Sequence, residues 1–113
     1  MVQDTQLDNI TAAINGGDWQ TLSNYMDQTV EIALLEDGNM YLKKEAVSKL
    51  KTFFEQYKGA SFEAVHKGFS GGKSSLYCIG DLKTKQSTLR VFLYMRVQDG
   101  QYFIQEMRFE QNN

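Results

Sequence analysis

The sequence predicts an α+β domain in which three helices pack on one face of a strongly curved, mostly antiparallel sheet. Three observations point there. Apolar residues recur at spacings of three and four through much of residues 7–57. From about residue 61 the pattern becomes an alternation, punctuated by Gly71-Gly72, Lys85-Gln86 and Asp99-Gly100. No proline interrupts either half, and 113 residues with 42% apolar and 23% charged suit one core. The expectation is a single domain over residues 4–111.

Asp4 is placed to cap a first helix that carries Leu7, Ile10 and Ile14 on one stripe. Gly16-Gly17 ends it, because glycine takes the left-handed conformation after a helix without steric cost. Asp18 caps a second, shorter helix to about residue 26, with Trp19, Leu22, Tyr25 and Met26 on one face. Residues 30–35 read as a strand, Asp37-Gly38 as a turn, and Met40-Tyr41-Leu42 as the short hairpin partner. A third helix spans about 43–57, with Ala46, Val47, Leu50, Phe53, Phe54 and Tyr57 on its stripe. Lys43, Lys44, Lys49 and Lys51 lie mostly off that stripe and read as a solvated face. Strands follow at about 61–69, 74–84, 87–98 and 101–110, which gives the order α-α-β-β-α-β-β-β-β.

Two-residue turns fix a register. Val97 then faces Tyr102, Met95 faces Ile104, Leu93 faces Glu106 and Val91 faces Arg108. Gly80 falls beside Val91, Cys78 beside Leu93, Leu76 beside Met95, and Val65 beside Cys78. One sheet face is thus nearly continuous aliphatic surface, the natural bed for the helices, with Glu106, Arg108 and Glu110 at one end. Trp19, Leu22, Leu50, Phe53, Phe54, Val91, Leu93 and Ile104 should be buried there. The other face carries Phe62, His66, Tyr77, Ile79, Arg90, Phe92, Tyr94, Arg96, Phe103, Met107 and Phe109. Aromatics interleaved with arginine are interface composition, so a homodimer through this face is expected, built from Arg90, Phe92, Tyr94, Arg96, Phe103, Met107 and Phe109.

Several segments, taken in order, resemble a known family. They are Ile14-Asn15-Gly16-Gly17-Asp18, Val30-Glu31-Ile32-Ala33-Leu34, Tyr41 before the third helix, Ile79-Gly80-Asp81-Leu82, Leu89-Arg90-Val91-Phe92, and the run from Tyr102-Phe103-Ile104-Gln105 to Glu106-Met107-Arg108-Phe109-Glu110. The element order resembles the nuclear transport factor 2-like superfamily, and the segments resemble the bacterial domain of unknown function 4783 family over about residues 10–110. Leu42 departs from the small capping residue the family tends to place before the third helix. The resemblance implies a cone of sheet around helices with a pocket at its open end, no assigned activity, and exported relatives. Met1-Val2-Gln3-Asp4 has no basic stretch leading into an apolar core, so no signal peptide is read in it, and compartment stays open.

Composition narrows the function classes. A net charge of −2 and a pI near 5.3 leave no basic excess to neutralise phosphates, so no nucleic-acid partner is expected. No apolar run approaches the roughly 20 residues that span a bilayer. Cys78, the one cysteine, closes no intrachain disulfide and reads as a buried, inert thiol. His66 is likewise alone, so no metal, cofactor or triad is expected. A small-molecule pocket at the cone's end would have Trp19, Tyr25 and Tyr102 as rim, with Glu106, Arg108 and Glu110 as polar floor. The two function classes are a non-catalytic ligand-binding or assembly domain, and a proton-transfer enzyme of isomerase or dehydratase type using Glu106 or Glu110. Arg108 between those acids favours a structural ion pair, because a nearby guanidinium keeps carboxylates ionised.

Overall fold

The computed structural model describes residues 2–111, with the side chains of all but 2–4, 59 and 60. The elements are α1 (Val2–Gly16), α2 (Trp19–Tyr25), β1 (Met26–Leu34), β2 (Asp37–Leu42), α3 (Lys43–Gln56), β3 (Gly59–Ser70), β4 (Ser75–Thr84), β5 (Thr88–Gln98) and β6 (Gln101–Gln111). Their order is the expected one.

Local chemistry sets the helical corner. Gly17 takes φ 65. Its N–H donates to Ile14 O at 3.2 Å and the Asp18 N–H to Ala13 O at 2.7 Å, which satisfies the last carbonyls of α1. Asp18 then caps α2, accepting the Thr21 N–H at 3.1 Å and the Thr21 hydroxyl at 2.6 Å. These bonds hold the Asp18 carboxyl below the usual aspartate range. Asp4 falls inside the span of α1 instead of ahead of it, and its side chain lies outside the described residues. Leu42 offers no capping atom to α3, and Glu45 Oε1 accepts the Leu42 N–H instead at 3.4 Å.

The sheet has six strands in the order β2-β1-β6-β5-β4-β3. The last strand of the chain therefore lies at its centre, parallel to β1 and antiparallel to β5. The helices cover the inner face, where Ile10, Ile14, Leu22, Leu50, Phe53 and Phe54 meet Val91, Leu93, Met95 and Ile104. Trp19 is part-buried against the same core.

Turn chemistry succeeded unevenly. Asp99-Gly100 forms the expected two-residue turn, with φ 52 and 77, closing the pair Gln98↔Gln101. The turn expected at Asp37-Gly38 falls instead at Leu35-Glu36, since Leu34 pairs with Asp37 and Ala33 with Gly38. The reason lies on the other side of β1: it is held against β6 as far as Leu34↔Phe109, and the Leu35 N–H donates to Phe109 O at 2.7 Å with Leu35 at φ 62. Gly71-Gly72 belongs to a four-residue loop between Ser70 and Ser75.

Register held between β4 and β5, where Leu76↔Met95, Cys78↔Leu93 and Gly80↔Val91 are paired as expected. It failed at two bulges. In β3 the register shifts between Ala64 and His66. Lys67, not Val65, therefore opposes Cys78, and Val65 is half exposed. His66 opposes Ile79. Phe62 pairs with Leu82 on the inner side, and its ring covers Gly80, where an added Cβ would stand 2.5 Å from Phe62 Cζ. In β6 the register shifts at Gln105, so Leu93 opposes Met107 and Val91 opposes Phe109. Met107 and Phe109, expected on the outer face, are fully buried in the core. Glu106, Arg108 and Glu110, expected on the inner face, oppose Tyr94, Phe92 and Arg90 on the outer one.

Candidate functional site

The expected cone pocket is not assembled. Tyr102, expected at its rim, is only 1% exposed and belongs to the core. That end is closed by α1: Gln6 Oε1 accepts the Tyr102 N–H at 3.0 Å, and Gln6 Nε2 donates to Gly100 O at 2.7 Å. Trp19 and Tyr25 lie on the helical side. Lys51 Nζ stands 5.4 Å over the Trp19 ring, and Asn9 Nδ2 donates to Tyr25 Oη at 3.1 Å. The charged trio is on the opposite side of the sheet.

There, on the outer face, the trio does come together. Arg108 Nη1 approaches Glu106 Oε2 at 3.4 Å and Arg108 Nη2 approaches Glu110 Oε2 at 3.3 Å. Glu31, a residue absent from the expected set, adds a third carboxylate at 3.8 Å. The hydrogen bonds to Glu110 and then Glu106 raise the Arg108 pKa further above its already high ordinary value. The Arg108 side chain is 41% exposed, so these are solvated contacts rather than a buried network. A depression of about 250 Å³ opens beside them, walled by Tyr77, Ile79, Phe92 and Tyr94 with Glu106 and Arg108 at one edge.

Cross-strand rows organise this face. Asp81, Arg90 and Glu110 form one row, with Arg90 Nε donating to Asp81 Oδ1 at 2.8 Å. Ile79, Phe92 and Arg108 form the next, then Tyr77, Tyr94 and Glu106. The apolar centre thus sits over β4 and β5, with charge along β6 and β1. Five of the seven expected interface residues, Arg90, Phe92, Tyr94, Arg96 and Phe103, do share this face. Met107 and Phe109 do not, being buried behind it.

Asp27, at the start of β1, explains where the phase of β6 changes. Its Oδ2 accepts from Gln105 Nε2 at 3.1 Å, Arg96 Nη2 at 3.2 Å and Arg96 Nε at 3.3 Å. Gln105 is the residue at the register shift, so this carboxylate grips the bulge itself. Burial pushes the Asp27 pKa up, but the hydrogen bonds from Gln105, the Gln28 backbone and Arg96 outweigh it and hold the carboxyl low. Arg96 also lies 4.5 Å over the Phe103 ring. No sequence motif marks Asp27, because its partners are 69 and 78 residues away.

Cys78 is buried, and burial pushes its thiol pKa up. Among the described residues, no three His, Cys, Asp or Glu side chains gather as a metal would need. None of the described helices is long and apolar enough to cross a membrane.

The model of a family described as Domain of unknown function (DUF4783) matches residues 7–110. A DUF4783 family protein from Bacteroides ovatus is 27% identical, with a TM-score of 0.87, over 93% of this chain and 94% of that one. Another from Bacteroides uniformis is 24% identical, with a TM-score of 0.88, over 94% and 96%. An NTF-2 like protein of unknown function from Burkholderia xenovorans is 13% identical, with a TM-score of 0.72, over 99% and 85%. At that identity the likeness speaks to the fold alone. No curated protein matches the chain. With the family model covering nearly all of the sequence, and with three helices on a curved six-stranded sheet, this chain belongs to the DUF4783 family and has the nuclear transport factor 2-like fold.

Proposed function

We propose that this chain is a non-catalytic assembly domain that pairs with a second copy through the outer face of its sheet. The carrying observation is the exposure there of Tyr77 at 39% and Tyr94 at 41%, contiguous with half-buried Ile79 and Phe92. An apolar centre bordered by ion-paired residues matches the anatomy of a protein interface. A second copy related by a twofold axis through this centre would lay Tyr94 and Phe92 against their own equivalents. The charges at the border, Arg90 with Asp81 and Arg108 with its glutamates, already have partners, so burying their edge strands none of them.

Two observations favour assembly over the alternatives. Tyr102, which a cone pocket would have at its rim, is buried in the core with Met107 and Phe109. A proton-transfer role for Glu106 or Glu110 requires a carboxyl free of a neutralising partner, and Arg108 contacts both. Sedimentation equilibrium is the test. We expect a dimer at tens of micromolar and a folded monomer for Tyr94→Glu. A parent protein that stays monomeric at high micromolar concentration would overturn the reading.

A further inference from the structure

We propose that the corner between α1 and α2 is a binding site for a small planar aromatic carboxylate. The site is independent of the sheet-face pairing and lies on the helical side of the molecule. A depression of about 340 Å³ opens there, within the size range of small-molecule sites. It is lined by Gly16, Gly17, Trp19 and Phe54, with Lys51, Glu55 and Lys58 as its charged residues.

The glycine pair is the informative part. Gly17 is required by the turn, because its φ of 65 is left-handed. Gly16 is not. It lies within α1, lacks a positive φ, and a Cβ added to it would meet nothing within 4 Å. Alanine there would favour the helix and clash with nothing. What the glycine leaves is open space beside Trp19 and Phe54. A Cβ on Gly17 would meet Phe54 at 3.4 Å, so Phe54 packs on Gly17 and the open part of the depression lies over Gly16.

Charge selects the ligand. Two lysines against Glu55 leave the mouth positive, in a chain whose net charge is −2. Lys51 Nζ is held 5.4 Å over the Trp19 ring, so the ammonium and the indole present together. A ring lying over Gly16 would contact Trp19 and the edge of Phe54, and its carboxylate would reach the lysines.

Trp19 is the chain's single tryptophan, so its emission reports this site alone. Benzoate is the probe, with acetate, benzyl alcohol and inorganic phosphate as comparisons. We expect a saturable change in Trp19 emission with millimolar benzoate, and shifts of the Gly16 and Gly17 backbone amide resonances. Acetate and benzyl alcohol should produce neither. Lys51→Ala with Lys58→Ala should weaken benzoate about tenfold. Gly16→Leu, which suits a helix, should abolish binding while the melting midpoint is kept. The proposal is overturned if benzoate gives no saturable response, if benzyl alcohol or phosphate matches it, or if the double-lysine variant binds as the parent does.

Discussion

The β4–β5 and β5–β6 hairpins share a strand and part company halfway along it. From Lys83↔Thr88 to Ser75↔Arg96 the first pair runs without interruption. The second keeps step from its turn only as far as Met95↔Ile104, and Gln105 then resets it. Both hairpins are bounded by tight turns, so the turn is not the difference. β6 alone has β1 on its other side, with Asp27 reaching across to Gln105 and Arg96. A turn fixes register locally, and a part-buried hydrogen-bonding group further along can set it again.

The severest way to break the comparison is to truncate the buried rings beyond the bulge. Phe109→Ala should cost about 2–5 kcal/mol, as should Leu93→Ala, because each opens a cavity in one core. Phe92→Ala, one residue away but on the outer face, should cost distinctly less. Urea denaturation of the three variants checks this, and equal losses at Phe92 and Phe109 would contradict the face assignment.

Asp27→Ala removes the acceptor that grips the bulge and should cost about 1–3 kcal/mol. The sign of its pH dependence follows from the lowered carboxyl. A group with a depressed folded pKa stabilises above its unfolded value, here near 3.8, and that contribution fades as pH falls through the folded value. The parent's advantage over Asp27→Asn should therefore hold near neutrality and shrink below about pH 4. A gap that stayed constant down to about pH 2 would remove the carboxylate from the account.

The smallest effect expected is at Arg108. On an inner face, Arg108→Leu would have stranded a buried carboxylate. With Arg108 41% exposed among Glu31, Glu106 and Glu110, the change should stay within about 1 kcal/mol by urea denaturation. A loss of several kcal/mol would say that these charges are far less solvated than their exposure implies.

Much of this was legible in the residues, and the exceptions are instructive. The α3 stripe, the Gly17 corner and the β4–β5 pairing follow from periodicity and turn chemistry, which act over a few residues. The bulge in β6 had a local signature too. Tyr102, Ile104, Met107 and Phe109 are the buried positions, and the step of three between Ile104 and Met107 marks the phase change. Phe103 obscured it, because an aromatic on the outer face made an unbroken alternation look equally good. The second bulge, at Val65, carried no comparable sign: β3 is an edge strand with mostly exposed side chains, so little apolar pattern records its phase. The grip of Asp27 on Gln105 and Arg96 depended on strands brought together only by the fold.

The central position of β6 has a consequence for synthesis on the ribosome. Residues 101–111 are made after every other strand of the sheet, yet they separate β1 from β5 in the finished sheet. A nascent chain that ends before them holds a two-stranded piece, β1 with β2, and a three-stranded piece, β3 to β5, with no strand joining the two. Each piece presents an unpaired edge, and the core lacks Tyr102, Ile104, Met107 and Phe109. The sheet can therefore close only once β6 has been made, and a ribosome paused just short of it would display two sticky half-sheets instead of one joined sheet.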